Sequence, residues 1–279
     1  MKKTILSIAA CVMAMAASAQ IFTIQSTQKL PVPQGTEWRV AGFSPAGDYI
    51  LITDDTNSGL VRMDLANYAT NVITTASGAG WAVQISKDGK DIVYREMTIG
   101  EDKLVRHDII KHNFVANTRS VEAKAQRDMT NLVDKAAKQT VAINEDLHMV
   151  ITRNGKTIVV TPNGAEEAYN WASISPDGKK ILYYVSAKGC YVCDMYGQNV
   201  QFVARHCRAP QWYDNNTIVG MADEDDGTYM TASAIVAYTL DGKSQILVNK
   251  ENMAIYPYAA EGKIVFSNAG GEIYMMQVK

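Results

Sequence analysis

The residues of this sequence able to do chemistry are few and scattered. The four histidines, His107, His112, His148 and His206, fall at spacings that place no two on one helical face; His107 and His112 are expected on a strand and in the turn after it. No G-x-S-x-G elbow, no phosphate loop and no H-E-x-x-H pair occurs. The common signatures of serine hydrolases, nucleotide binding and zinc peptidases are therefore missing. The sequence argues against catalysis and implies no cofactor and no metal. Carboxylates gather at three places: Asp54 and Asp55; Glu101 and Asp102; and the run Asp223, Glu224, Asp225, Asp226 before Gly227. Oxygen-rich loops can hold calcium, but the spacing of an EF-hand loop is not met, and solvated hairpin tips account for them. They are expected to form an acidic rim on one face.

Aromatic residues make the more specific pattern. Trp38, Trp81 and Trp171 each stand a few residues ahead of a recurring motif, and Arg39 and Tyr256 occupy similar positions. Aromatic side chains brought together at an opening can stack on sugars or clamp a peptide, since such anchors dominate binding hot spots. The competing reading is packing between neighbouring repeats, which also uses large flat side chains.

The elements that position these residues come from the repeat. F-S-P-A-G-D-Y-I-L-I-T from Phe43, I-S-K-D-G-K-D-I-V-Y-R from Ile85 and I-S-P-D-G-K-K-I-L-Y-Y from Ile174 align directly. Three weaker copies begin at Ile143, Trp212 and Tyr258. Anchored on Ser44, Ser86, Asn144, Ser175, Tyr213 and Ala259, the steps are 42, 58, 31, 38 and 46 residues. Six units of about 43 residues fill the chain after residue 19. Each unit offers an apolar run, a tight Gly-containing turn, a β-branched strand, a third strand such as L-V-R-M-D-L from Leu60, and an outer strand. Four antiparallel strands at this period specify an all-β, six-bladed β-propeller. The last unit stops after its third strand, so Ile21–Thr27 is expected to supply the fourth and close the ring. The stretch from Ser120, with Met129, Leu132, Val133, Ala136 and Ala137 at helical spacing, reads as a helical insertion on the tryptophan face.

The motif Ser175-Pro176-Asp177-Gly178-Lys179 before an apolar strand resembles the TolB-type propeller repeat. Ser86–Lys90 and Ser44–Gly47 depart from it by one or two residues. The resemblance implies a free-standing propeller without an attached hydrolase domain, a module that binds proteins or peptides. It is informative about fold more than function.

The first residues set the compartment. Lys2 and Lys3 precede an apolar stretch from Ile5 to Ala16, and Ala17-Ser18-Ala19 is a cleavage pattern, so 1–19 reads as a signal peptide and 20–279 as the propeller. Cys11 fits a lipoprotein box only loosely. Without the leader the balance is 25 basic to 29 acidic residues, which gives no basic patch for nucleic acid. No later segment has transmembrane length. Cys190, Cys193 and Cys207 then remain. Cys190 and Cys193 lie three apart in a strand and leave opposite faces, so they do not bridge each other; a bridge from one of them to Cys207 stays open. The resulting expectation is a secreted or periplasmic scaffold, associated with the cell envelope, that binds a protein or peptide. The alternative is a carbohydrate-binding or carbohydrate-active protein using the channel mouth.

Overall fold

Strands that are apolar on successive residues must be covered on both faces, and that requirement organises this chain. The structure is a computed structural model that describes residues 20–126 and 139–279. The signal-peptide reading, and the part of the helical insertion from residue 127 onward, lie outside the described residues.

The strands form six antiparallel sheets arranged as the blades of a propeller. Blade one comprises β2 (Trp38–Phe43), β3 (Tyr49–Asp54), β4 (Leu60–Asp64) and β5 (Thr70–Thr74). Blade two comprises β6 (Gln84–Ile85), β7 (Asp91–Ile99), β8 (Val105–Asn113) and β9 (Thr118–Gln126). Blade three has β10 (Gln139–Ile143), β11 (Met149–Arg153) and β12 (Lys156–Val160). Blade four has β13 (Tyr169–Ile174), β14 (Lys180–Val185), β15 (Gly189–Asp194) and β16 (Gln201–Ala204). Blade five has β17 (Arg208–Trp212), β18 (Thr217–Asp225), β19 (Met230–Thr239) and β20 (Ser244–Val248). Blade six has β21 (Ala254–Ala260), β22 (Lys263–Asn268), β23 (Ile273–Val278) and, as its outer strand, β1 (Ile24–Lys29).

Alternation along each second strand shows why both faces are apolar. In β3, Ile50 and Ile52 pack towards blade six with Val265 and Ile273, while Tyr49 and Leu51 pack towards blade two with Ile92 and Tyr94. In β14, Ile181 and Tyr183 face blade three and Leu182 faces blade five. Cys193 and Cys190 divide between the same two interfaces. All three described cysteines are buried and free. Burial pushes the Cys193 thiol up to about 12 and the Cys190 thiol up as well.

The motif serines explain themselves. The Ser44 hydroxyl accepts from the amides of Asp48 and Tyr49 at 3.0 and 3.1 Å. Ser86 and Ser175 accept at 3.0 Å from Asp91 and Lys180, and each donates to the aspartate two residues on. The glycine of each turn takes the left-handed conformation, with φ of +64°, +71° and +74° at Gly47, Gly89 and Gly178. A buried hydroxyl thus ties the inner strand to the second strand across each turn.

Three expectations are corrected. The residues from Ser120 to Gln126 are strand, not helix: they lie in β9, where Val121 pairs with Ile110 and Ala123 with Ile109 on the long β8. Ladder pairing there outweighs local helix propensity. His112, expected in a turn, also lies on β8. Blade three has three strands among the described residues, because only 161–168 separates β12 from β13 and Pro162 stands near its start.

Blade three is also set differently against its neighbour. Between blades one and two and between blades four and five the first turns lie together: Tyr49 Oη donates to the Gly89 carbonyl, and the Asp177 amide donates to Asn215. In blade three the first turn meets the start of β13 instead, the Tyr169 amide donating to the Leu147 carbonyl at 2.8 Å. Gln139, at the start of β10, lies against Gly178 beyond the end of β13.

The amino-terminal strand latches blade six as expected. β1 pairs antiparallel with β23, from Ile24 opposite Val278 to Lys29 opposite Tyr274. Thr23 and Lys279 exchange two backbone hydrogen bonds of 2.8 and 3.0 Å. The Gln245 side chain accepts from the amides of Ile21 and Phe22, and Phe22 and Leu30 are buried. Deleting residues 20–30 should cost at least about 4 kcal/mol, since two large apolar side chains are lost and β23 becomes an open edge. Chemical denaturation checks this, and an unchanged midpoint would show the latch to be dispensable. A second expectation concerns thiols: Cys190 and Cys193 should resist a colorimetric thiol reagent in the native protein and react on unfolding. Rapid native labelling of either would contradict their burial.

Candidate functional site at the channel mouth

The inner strands begin on the face where the loops between second and third strands also emerge. Four of them carry a bulge: between Val40 and Gly42, Tyr169 and Trp171, Arg208 and Gln211, and Ile255 and Tyr258. A bulge leaves ladder groups unpaired and re-aims side chains. The neighbouring blade satisfies those groups. At the blade-one bulge the Val40 amide donates to Ser267 Oγ at 2.9 Å, and the Ala41 carbonyl accepts from Tyr258 Oη at 3.2 Å. Beside the blade-six bulge the Ala254 carbonyl accepts from Ser233 Oγ.

The bulges set an arc of side chains across blades five, six, one and two. Tyr256 is left-handed, with φ of +52°, an uncommon conformation for a bulky residue. Its ring lies under the Arg39 guanidinium, 5.9 Å from centroid to Cζ. Arg208 lies near Tyr256 and Tyr184 and pairs with Asp223 at 2.5 Å. Arg39 is opposite Thr53. Gly80 presses against the Thr53 side chain so closely that a Cβ there has no room. Trp81 follows, 56% exposed, with Arg95 over its ring at 5.7 Å. Burial pulls the Arg95 guanidinium below its usual value, and its Nε has no hydrogen-bond partner. His107, on the adjacent strand, is held below the usual imidazole value by burial and by Arg95, and its Nδ1 lacks a partner.

The expected site residues separate. Trp38 Nε1 donates to the Pro33 carbonyl at 2.6 Å, and its ring packs on the interface of blades six and one. Trp171 packs on the interface of blades four and five. Trp81, Arg39 and Tyr256 are the members accessible at the mouth. Sequence reasoning missed Arg95 and Arg208: Arg95 ends the motif that begins at Ile85, and Arg208 precedes Tyr213 as Arg39 and Trp81 precede Ser44 and Ser86, but the contacts that give them a place at the mouth arise only through a bulge or a long hairpin.

The acidic residues are largely occupied. Asp54 accepts from the amides of Thr56 and Ser58. Asp102 pairs with Arg106 at 2.6 Å, which holds its carboxyl well below the usual carboxylate range. Asp225 accepts from the Gly227 amide, and Asp226 from those of Thr228 and Tyr229. The Asp223 side chain is only 6% exposed. For Asp55 and Glu101 no hydrogen bond or ion pair is seen. Among the described residues no group of three or more His, Cys, Asp or Glu side chains could hold a metal. A shallow depression of about 450 Å³ on blade five, lined by Ala222, Val236 and Ile246, holds Glu224 already paired with Lys250 and is not the site.

No family model matches the chain, and no curated protein matches it. Among solved structures it is similar to a protein assigned as TolB from Agrobacterium tumefaciens, at 15% identity and a TM-score of 0.54, over 88% of this chain and 91% of that one. It is similar to the Cps50 (Swd1) propeller domain of Myceliophteria thermophila at 9% identity and a TM-score of 0.52, over 91% of this chain and 100% of that one. An oligogalacturonate lyase aligns at 16% identity and a TM-score of 0.49, over 85% and 76% of the two chains. At these identities the likeness concerns fold, and the fold is a TolB-like propeller. No helix among the described residues is long and apolar enough to cross a membrane.

The geometry generates a test of how Trp81 is placed. Gly80→Ala forces a Cβ into the buried Thr53 side chain. It should destabilise the protein by about 1–3 kcal/mol and shift the Trp81 emission. A variant with wild-type stability and emission would show that this contact does not fix the loop.

Proposed function

We propose that this chain is an exported, non-catalytic binding module that captures a protein or peptide at the channel mouth. The observation that carries the reading is the exposed Trp81 ring beneath Arg95, linked through Gly80 and Thr53 to the Arg39–Tyr256 pair. Exposed aromatic area beside guanidinium groups is the composition of binding hot spots. It is held by loops on a rigid ring, the usual arrangement for recognition. The leader-like residues 1–19 support export to the periplasm or cell surface, and the TolB-like fold is compatible with protein partners.

The carbohydrate reading draws on the same exposed indole, which could stack on a sugar ring. Glycoside hydrolysis needs two carboxyl groups facing across the ligand. Of the mouth carboxylates described above, Asp54, Asp102, Asp223, Asp225 and Asp226 are instead engaged with arginines or turn amides, and only Asp55 and Glu101 are unengaged, which favours binding over hydrolysis.

Capture from envelope extract, run beside a glycan array, tests the reading. Trp81→Ala and Tyr256→Ala should each weaken capture by about 2 kcal/mol with little change in stability. Trp38→Ala and Trp171→Ala should instead lower stability by about 3 kcal/mol or more. Capture unaffected by either mouth substitution would place the ligand elsewhere.

A further inference from the structure

Most partly buried arginines of the described residues have acidic company. Arg106 pairs with Asp102. Arg62 lies over the rings of Tyr49 and Phe114 in a groove that Asp48 and Asp88 also line. Arg153 lies over Tyr196, with Asp194 near enough to feel its charge. Arg39 and Arg95 each face an aromatic ring and, like Arg62 and Arg153, form no ion pair or hydrogen bond to a carboxylate; what sets them apart is their place at the mouth. Asp54, Glu96 and Asp223 are engaged elsewhere, by turn amides, by Arg119 and by Arg208.

A half-buried guanidinium without a counter-charge is unfavourable, because its solvation is reduced and nothing replaces it. Arg95 shows this twice, in its unpartnered Nε and in the lowered affinity for its proton. The ring below each arginine fixes the guanidinium plane, leaving its edge donors free. Such a fork matches a carboxylate in two parallel hydrogen bonds. Between the two arginines run Thr53, Gly80 and Trp81, a stretch over which an extended chain could lie.

Resting on the reading of the mouth as a peptide site, we propose that its ligand is an acidic peptide segment whose carboxylates are taken by Arg39 and Arg95. Trp81 and Tyr256 supply apolar contact to the intervening chain. Of the outer-loop carboxylates, Asp102, Asp223 and Glu224 are paired with Arg106, Arg208 and Lys250; the others keep their charge at the loop tips, and the direct contacts at Arg39 and Arg95 must outweigh their repulsion. His107 would report the event, because a carboxylate brought to Arg95 offsets the positive charge that now depresses its pKa.

The experiment uses the mature protein with an oligoglutamate peptide, an oligoglutamine peptide and a uronate oligosaccharide, followed by calorimetry and by Trp81 fluorescence. Oligoglutamate should bind, oligoglutamine should not, and affinity should fall as salt rises. Arg39→Gln and Arg95→Gln should each weaken oligoglutamate binding about tenfold or more, with unchanged unfolding midpoints, and Arg→Lys should restore part of the loss. The His107 pKa, assigned with His107→Gln, should rise when oligoglutamate saturates the protein. No oligoglutamate binding, equal binding of both peptides, or indifference to both arginine substitutions overturns the proposal. Binding of the uronate alone overturns it in favour of an anionic sugar. Envelope capture lost in Trp81→Ala but retained in both arginine variants would leave the peptide site standing and remove only its acidic specificity. Capture indifferent to all four substitutions would remove both.

Discussion

Each blade of this protein is a sheet with two apolar faces, and no blade can satisfy both faces alone. Tyr49 and Leu51 need blade two while Ile50 and Ile52 need blade six. The same demand recurs at β14 between blades three and five. Ring closure follows from it, and so does the amino-terminal latch, because the last unit ends with β23 as an unpaired strand unless β1 covers it. The buried Phe22 joins the interface of blades five and six, so the latch also caps a hydrophobic seam. Stability in such a ring is shared between neighbours and does not reside in any one blade.

Bringing inner strands together around an axis has a local cost. The ring demands strong twist at its centre, and the inner strands respond with bulges and left-handed residues. Ala82, Ala209 and Tyr256 have φ of +55°, +44° and +52°, and each such residue costs about 1–2 kcal/mol relative to an ordinary conformation. Cross-blade hydrogen bonds offset part of this, as Ser267 and Tyr258 do at the Val40–Gly42 bulge. The mouth is thus built where ring geometry overrides local preference. Side chains there point in directions that a regular ladder would not give.

That origin accounts for what the sequence makes legible. The repeat is readable because its serine, turn glycine and β-branched strand each answer a local requirement: Ser175 closes a turn by accepting from Lys180, and Gly178 supplies a positive φ. The latch is readable because one unit lacks a strand. Blade three is poorly readable for the same reason its motif is weak. Asn144 accepts from the His148 amide in place of a serine, and a short connection replaces the outer strand. The meeting of its first turn with the start of β13 arises from interface packing that no local pattern records. The segment from Ser120 misleads because charged helix formers also occupy exposed strands when a long partner such as β8 is present.

The mouth residues divide along the same line. The positions of Trp38, Arg39, Trp81, Trp171 and Tyr256 follow from the repeat, but their roles depend on contacts across blades. Trp38 finds the Pro33 carbonyl and Trp171 finds an interface, whereas the left-handed turn at Ala82 leaves Trp81 outside the core. Charge sorting is less visible still, since a count of acidic residues in three loops suggests an acidic face. Pairing changes that impression only in part: Asp102 and Asp223 are spent on Arg106 and Arg208, while the remaining loop carboxylates keep their charge at the loop tips. What remains uncompensated at the mouth is the positive charge of Arg39 and Arg95, held over aromatic rings. The electrostatic character of the site is set by which charges lack partners, and that depends on the fold more than on composition.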